Sequence, residues 1–248
     1  MKPIILIPTY NERDSIGRLL GKLEDFRHRQ TFDALIIDDG SPDGTVDYID
    51  SLNYPWVEIM KRSAKSGLGP AYRAGFIHIL RTRPEITHFV TMDADGSHRV
   101  EDLDAMFASV TSGPEIILGT RWMPGGAVEN WPLKRHILSR AGTTYARLAL
   151  RIPLRDLTGG FRIYSRELLE SLKLEKMQAS GYCYQIEMAL VARAAGAKMR
   201  EVPITFVERL HGRSKMTKEI VREAIFQTTH WGLERLLHPN ADKLHYVK

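Results

Sequence analysis

The sequence predicts an α/β fold with a mostly parallel central sheet. Short apolar runs alternate with segments of helical periodicity through the first half of the chain, as expected for strands joined by helical crossovers. A polar cluster follows each apolar run. The chain has 248 residues, of which 43% are hydrophobic and 26% are charged, a composition typical of globular proteins.

In the first half, apolar runs predict strands at 4–8, 34–37, 57–60, 89–92 and 115–118. Apolar residues at helical spacing predict helices around 16–26, 46–52, 70–80 and 100–110 between them. Ligands of such sheets bind at the carboxyl ends of the strands. Polar clusters at 9–12, 38–39, 61–65, 93–95 and 119–121 are therefore predicted to converge on one edge.

In the second half, residues 122–132 form a Gly/Pro-rich loop, and 133–152 follow a helical period. A turn at 156–162 leads into a short strand, and 184–194 form another helix. Residues 199–207 are typical of an edge strand because Pro203 interrupts them. A basic loop at 209–215 precedes a last helix that includes Ile220 and Trp231. We expect a single domain over 1–248, since no clear linker is present.

The strand at 89–92 delivers two carboxylates to the predicted edge. Asp93 and Asp95 are two residues apart in extended chain, so their side chains point to the same side. Two such oxygen ligands suit Mg²⁺ or Mn²⁺, which substrate phosphates and water usually complete. The similar pair Asp102 and Asp104 lies in a predicted helix, where about 100° per residue separates the two carboxylates. We interpret that second pair as a solvated helix face.

Charge and cysteine content limit the function classes. The net charge is +5, and residues 121–155 carry seven Lys or Arg against one acid. Such a surface suits nucleic acid, anionic lipid or a phosphorylated substrate. The single cysteine, Cys183, fits a reducing compartment. No window approaches the roughly 18–20 apolar residues of a membrane span, which predicts a soluble or peripheral protein.

Two segments leave alternatives open. The loop at 62–70 could bring Lys65 and backbone amides to a phosphate, or it is a glycine turn that enters a helix. It lacks the order of a P-loop, and no G-x-G-x-x-G follows the first strand, which disfavours a kinase or a dehydrogenase. The helix at 133–152 either lies on a membrane surface, with Arg140, Arg147 and Arg151 on another face from its apolar residues, or packs with a solvated face.

The order of these motifs resembles a known family. The segments 8–12 (Pro-Thr-Tyr-Asn-Glu), 38–45 (Asp-Asp-Gly-Ser-Pro-Asp-Gly-Thr) and 93–95 (Asp-Ala-Asp) resemble the family 2 inverting glycosyltransferases. Further segments over nearly the whole chain resemble the bacterial polyprenol (dolichol) monophosphate mannose synthases: 119–121, 130–132, 138–140, 158–162, 185–188 and 201–204.

The resemblance implies the nucleotide-diphospho-sugar transferase fold (GT-A, Rossmann-like). It implies transfer of mannose from GDP-mannose to a polyprenyl phosphate with inversion, by a nucleotide-sugar-binding half at 1–120 and an acceptor- and membrane-facing half at 121–248. Positions that match the family's motifs give the expected sites. The donor site comprises Pro8, Tyr10, Glu12, Asp39, Lys65, Gly67, Asp93, Ala94, Asp95, Arg209 and Lys215. The Mg²⁺ or Mn²⁺ site comprises Asp93, Asp95 and Ser97, and the acceptor-phosphate site comprises Arg121, Arg135 and Ser139. The expected catalytic residues are Asp95, Arg121 and Arg135.

Many relatives have glutamine where this chain has Ser97, which leaves open whether Ser97 ligates the metal directly or through water. Glu187, on a mostly apolar helix, is expected to be structural. The resemblance further implies a peripheral enzyme on the cytoplasmic face of a membrane, with a membrane protein as a potential partner. Two alternatives remain: glucose transfer from a UDP-sugar to the same acceptor, and a module that binds nucleic acid without turnover. Carboxylates at the strand ends disfavour the second alternative because they repel a phosphate backbone.

Overall fold

The computed structural model describes residues 1–110, 113, 115–181, 183–208, 218–237 and 246–248. A seven-stranded sheet forms its centre, in the order β3-β2-β1-β4-β7-β5-β8. Its strands are β1 (Pro3–Thr9), β2 (Asp33–Asp38), β3 (Val57–Lys61), β4 (His88–Thr91), β5 (Ile116–Thr120), β7 (Arg162–Ser165) and β8 (Met199–Pro203). A smaller two-stranded parallel sheet pairs β6 (Ala127–Glu129) with β9 (Thr205–Val207).

The central sheet is mostly parallel, as predicted. The pairs β1–β2, β1–β4, β2–β3 and β5–β8 are parallel. Strand β7 is antiparallel to both β4 and β5, so the start of β7 lies at the same edge as the ends of its neighbours. The segment just before β7 therefore belongs to the edge where the ligands of such sheets bind.

Helices cover both faces of this sheet. They are α1 (Arg13–Arg27), α2 (Thr45–Ser51), α3 (Leu68–Thr82), α4 (Leu103–Val110), α5 (Leu133–Leu150), α6 (Arg166–Ser171), α7 (Cys183–Ala194) and α8 (Lys218–Leu237). One core cluster joins the sheet to α3 and α7 through Tyr72, Phe76 and Tyr184, and the other joins it to α1 and α4 through Leu20 and Phe107. Both faces of the strands are buried, which is why β1 and β2 read as unbroken apolar runs.

The predicted elements are present, with three differences. Strand β6 lies inside the segment interpreted as a loop, and α6 was not predicted, because each is short. The predicted edge strand at 199–207 is two strands: β8 lies at the edge of the large sheet, and β9 pairs with β6 after an interruption at Ile204.

The chain's two longest helices, α5 and α8, pack against each other. Tyr145 on α5 and Thr229 on α8 share a hydrogen bond of 2.5 Å between their hydroxyl groups. A side chain at Gly232 would come within 2.8 Å of the Ala149 carbonyl oxygen, so only glycine permits this approach of the two helices. Among the described helices, none is long and apolar enough to cross a membrane.

Candidate functional site

The turn after β2 is organised by Asp38. Its carboxylate accepts hydrogen bonds from the Thr9 hydroxyl (2.8 Å), the Gly40 and Ser41 amides (3.0 and 2.8 Å) and the Ser41 hydroxyl (2.6 Å). These four bonds use the lone pairs of both oxygens. Asp38 therefore connects the turn after β2 to the end of β1.

Asp39, just after β2, contacts the loop between β3 and α3 that carries Lys65. Asp39 is 6% exposed and accepts a 2.6 Å bond from Arg62 and a 3.3 Å bond from the Ser66 amide. Lys65 places its ammonium group 4.3 Å from the centre of the Tyr10 ring. The loop that carries Lys65 is thus connected to the ends of both β1 and β2. Pro8 lies in β1, Glu12 directly precedes α1, and Gly67 precedes α3.

Asp93 and Asp95 follow β4 and are held by different contacts. The Asp93 amide donates to His98 Nδ1 at 3.0 Å, which places the ring proton of His98 on Nε2, 3.8 Å from Asp93 Oδ2. Asp95 Oδ1 accepts from the Ser97 amide at 3.0 Å. His98 is 2% exposed and stacks on Phe161. The stacked ring of His98 is therefore tied to the main chain of Asp93.

Ser97 is buried, and its hydroxyl has no hydrogen-bond partner in the part of the chain that the structure describes. An unpaired buried hydroxyl costs roughly 1–3 kcal/mol. In the described ranges, no group of three or more His, Cys, Asp or Glu side chains is arranged to hold a metal. The two carboxylates and the hydroxyl are oxygen groups, the ligand type that Mg²⁺ and Mn²⁺ prefer.

A cavity of about 320 Å³ begins at Asp93, His98 and Gly160 and continues between α5 and α8. Its polar end also contains the predicted acceptor residues Arg121, Arg135 and Ser139. The remaining lining is mostly apolar or small: Trp131, Leu138, Ala141, Gly142, Tyr145, Ile186, Phe206, Ala224 and Ile225. The three predicted acceptor residues are therefore brought together, next to one of the two predicted metal ligands.

Arg121 is fixed by a buried carboxylate that our sequence analysis did not select. Its Nε and Nη2 donate to Asp156 Oδ2 and Oδ1 at 2.6 and 2.8 Å, and Nη2 also reaches the Thr158 hydroxyl at 2.9 Å. Burial alone would raise the pKa of Asp156, but the charge and hydrogen bonds of Arg121 outweigh it and lower that pKa. Asp156 therefore stays ionised and holds Arg121, whose guanidinium also lies 5.4 Å from the centres of the Trp131 and Phe206 rings.

Arg135 is held more loosely. Its guanidinium lies 4.2 Å from the centre of the Trp131 ring and pairs with Glu208, while its Nε is buried without a partner among the described residues. The side chain of Arg135 is 16% exposed, against 7% for Arg121. The acceptor end of the cavity thus combines one rigid arginine with one that can exchange partners.

Beside this end, the buried Arg162 connects α7 to the glycine segment before β7. It donates to the carbonyl oxygens of Gly159 (2.9 Å), Leu157 (2.9 Å) and Gln185 (2.7 Å). Glu187 accepts from the Gln178 and Ala179 amides at 3.2 and 3.1 Å. These contacts join Glu187 to the segment before α7, and its structural interpretation stays a prediction.

Three residues near the cavity were missed as site residues: His98, Asp156 and Gln185. The signal for Asp156 was its place before Thr-Gly-Gly, because an aspartate there can accept from the turn, as it does from the Thr158 and Gly159 amides. No sequence signal pointed to the ring stacking of His98. Arg209 and Lys215, predicted to close over the donor, lie outside the described residues.

The two sides of α5 differ in exposure. Leu133, Ile137 and Leu148 are 74%, 59% and 75% exposed, and the buried residues of α5 are Thr143, Ala146 and Leu150. Most of the apolar stripe found from periodicity therefore faces away from the core, while the opposite side of the helix packs. The interpretation that the exposed side lies on a membrane surface stays a prediction. Exposed apolar residues also occur on α8: Ile225, Phe226, Leu233, Leu236 and Leu237.

The sequence matches the family model described as Glycosyl transferase family 2 over residues 4–173. It is 41% identical over 235 residues to a polyprenol monophosphomannose synthase of Mycolicibacterium smegmatis, covering 94% of this chain and 87% of that protein. It is also 41% identical to an undecaprenyl-phosphate mannosyltransferase of Micrococcus luteus, covering 94% and 95% of the two chains.

Two solved structures share the fold. A mannosyl-3-phosphoglycerate synthase from Rubrobacter xylanophilus superposes with a TM-score of 0.67 at 17% identity, covering 96% of this chain and 74% of that one. A glucosyl-3-phosphoglycerate synthase from Mycobacterium tuberculosis, in complex with Mn²⁺, UDP and glucosyl-3-phosphoglycerate, gives 0.66 at 16%, covering 92% and 78%. At this identity the likeness establishes the GT-A type of α/β fold.

Proposed function

The chain belongs to glycosyl transferase family 2, and we propose that it transfers mannose from GDP-mannose to a polyprenyl phosphate, with inversion at the anomeric carbon. The product is a polyprenyl-phosphate-mannose. The names of the two relatives at 41% identity support the acceptor and the sugar, because the similarity covers 94% of this chain. We further propose that residues 1–120 form the nucleotide-sugar half and residues 121–248 the acceptor half.

The cavity between α5 and α8 carries this proposal. It combines two arginines at one end with an apolar lining over the rest, and it opens beside Asp93. A lipid phosphate has the same two parts, a charged head and an apolar chain. A water-soluble acceptor such as a phosphoglycerate would gain nothing from the apolar lining of the cavity, since burial of apolar surface is favourable only for an apolar ligand.

On the donor side, we propose that Pro8, Tyr10, Glu12 and Asp39 hold the guanosine, with Lys65, Gly67 and Ala94 beside it. The contacts of Asp39 with Arg62 and of Lys65 with Tyr10 support this proposal, because they join the ends of β1 and β2 to the loop before α3. Arg209 and Lys215 remain proposed donor contacts on the grounds of resemblance.

For the metal, we propose Asp93 and Asp95 as ligands of Mg²⁺ or Mn²⁺, with Ser97 as a third ligand, directly or through a water. The unpaired buried hydroxyl of Ser97 fits this role. When bound, the ion would offset the charge of the departing diphosphate.

The acceptor needs little from a general base. A monophosphate has its second pKa near 6, so its oxygen is a competent nucleophile at neutral pH. The chain's part is to hold that phosphate in line with the anomeric carbon, by Arg121, Arg135 and Ser139. Contacts within the described chain use Nε and Nη2 of Arg121, which leaves Nη1 for the phosphate.

We further propose that the enzyme binds the membrane surface from the cytoplasmic face, with α5 and α8 against the lipid. Among the described side chains of these helices, ten large apolar ones are exposed, beside Arg140 and Arg147. The acceptor would then enter the cavity from the bilayer without crossing water. A membrane protein that covers part of the same surface is a compatible partner.

The experiment is a transfer assay with the purified chain, short polyprenyl phosphates and a panel of labelled nucleotide-sugars, with and without Mg²⁺ or Mn²⁺. We expect metal-dependent transfer from GDP-mannose and a β-linked product. Faster transfer from UDP-glucose than from GDP-mannose would show that the donor is the alternative one, a UDP-sugar. Transfer to phosphoglycerate, with none to the lipid, would refute the acceptor.

A further inference from the structure

We propose that Gln185 contacts hydroxyl groups of the transferred sugar and so determines which hexose the enzyme accepts. The proposal rests on the proposed function for the identity of the donor. Gln185 lies in the first turn of α7 and is 1% exposed. Both Oε1 and Nε2 of its side chain lack a hydrogen-bond partner within the described part of the chain. A buried amide with neither group paired is unfavourable unless a ligand or water completes it.

The Gln185 amide lies close to Gly160, next to the proposed metal ligand Asp93. A Cβ atom at Gly160 would lie 3.3 Å from Gln185 Nε2, 3.7 Å from His98 Cε1 and 3.8 Å from Asp93 Oδ1. Three polar side chains therefore surround one point, and the absence of a side chain at Gly160 keeps that point open. Gly160, His98 and Asp93 all line the cavity.

The main chain around this amide is held in place. The Gln185 main-chain carbonyl oxygen accepts a 2.7 Å bond from Arg162, which also binds Gly159 and is itself fully buried. Thr91 donates to the Gly160 carbonyl at 2.6 Å, which fixes the other side of this point to the central sheet. Because Gln185 is 1% exposed, burial limits the movement of its side chain, and an amide with few accessible positions discriminates between hydroxyl positions better than a mobile one.

The chemistry of the group selects a neutral, hydroxyl-bearing ligand. A side-chain amide offers a donor and an acceptor, and a hydroxyl group can answer both. The neighbouring Asp93 carboxylate repels an additional anion here. The sugar ring of the donor must pass between the proposed metal site at Asp93 and the acceptor arginines, so its hydroxyl groups are the ligand that matches this point.

The test compares Gln185→Met, which keeps the length of the side chain and removes both polar groups, with wild type. Initial rates are measured with GDP-mannose and with GDP-glucose, which differ only in configuration at C2, and GDP binding is measured by calorimetry. We expect kcat/KM for GDP-mannose to fall about 10–100-fold and the preference between the two sugars to shrink about 10-fold. GDP affinity should remain within about 2-fold, because GDP has no hexose.

Tyr184→Phe is the matched control. It removes another buried polar atom without a partner among the described residues, from the neighbouring residue, whose ring stacks on Tyr72 at 6.1 Å. Sugar preference should be unchanged in this variant. Equal loss of both donors in Gln185→Met, or an equal change of preference in Tyr184→Phe, would overturn the proposal and leave Gln185 a packing residue. If wild type prefers another nucleotide-sugar, the same comparison uses that donor and its C2 epimer, so an error in the proposed function does not decide this test.

Discussion

The two halves of the chain differ in what they do with apolar side chains. In the described part of residues 1–120, Met1 is the only large apolar residue that is exposed. In the described part of residues 121–248, ten are exposed, and all ten lie on α5 and α8: Leu133, Ile137, Leu138, Tyr145, Leu148, Ile225, Phe226, Leu233, Leu236 and Leu237. The large apolar residues of the first half instead pack against the central sheet.

The proposed function explains this difference by the ligand of each half. A nucleotide-sugar is polar, so its site needs only strand ends and turns over a fully buried core. A contiguous exposed apolar surface marks a site of interaction with membrane or protein. The helix α7 shows that the second half can also bury its helices, since Cys183 to Ala192 are all buried. Among the described helices, large exposed apolar side chains are therefore specific to α5 and α8.

The largest effect is expected at the metal ligands of the first half. Asp93→Asn and Asp95→Asn each retain side-chain size and remove a negative oxygen, so metal-supported transfer should fall about 10³-fold or more. The fold should survive, because the described contacts of Asp95 involve a turn and not the core. Transfer rates with saturating Mg²⁺ or Mn²⁺, with circular dichroism as a control for folding, measure the effect. Unchanged turnover in both variants would show that Asp93 and Asp95 are not the metal ligands and that the first half lacks the proposed metal site.

A smaller effect is expected at the arginines of the second half. Arg121→Lys loses the paired bonds to Asp156, which lysine cannot reproduce in geometry, and should lower kcat/KM for the polyprenyl phosphate about 100-fold. Arg135→Lys, at the less buried site, should lower it about 10-fold. GDP-mannose binding by calorimetry should stay nearly intact in both. If either variant abolished donor binding, that arginine would belong to the nucleotide site and the acceptor would bind elsewhere.

The sequence predicted the first half better than the second, for physical reasons. Strands such as β1 are buried on both faces and are therefore recognisable in the sequence as apolar runs. Asp93 and Asp95 come shortly after another such strand, β4. The second half depends on contacts between distant residues. Arg121 and Asp156 are 35 positions apart, and nothing local shows that they meet.

The same limit applies to surfaces. Periodicity found the apolar stripe of α5 but could not show which side faces the core, since Thr143 and Ala146 on the buried side are small and weakly apolar. The unpaired amide of Gln185 is likewise invisible in sequence, because a missing partner is a property of the packed structure.

The last prediction concerns the exposed surface itself, where the expected effect is smallest. Phe226, Leu233 and Leu237 lie within about 40° of one another around α8 and are 72%, 54% and 73% exposed. Changing all three to Gln should weaken binding to vesicles about 10–100-fold at any salt concentration, because removal of apolar area does not depend on screening. Sedimentation with phosphatidylcholine vesicles that contain phosphatidylglycerol measures the effect.

The matched variant changes Arg140, Arg147 and Arg151 of the other helix to Gln. Each surface-near arginine contributes about 1 kcal/mol at an anionic surface, and salt screens this attraction. The triple arginine variant should therefore bind less well than wild type at low salt and equally well at high salt, whereas the apolar variant should bind poorly at both. Because the two variants respond differently to salt, they separate a lipid surface from a protein partner that covers α5 and α8. If both variants bound vesicles as well as wild type does, the exposed apolar side chains would instead form the contact with the protein partner.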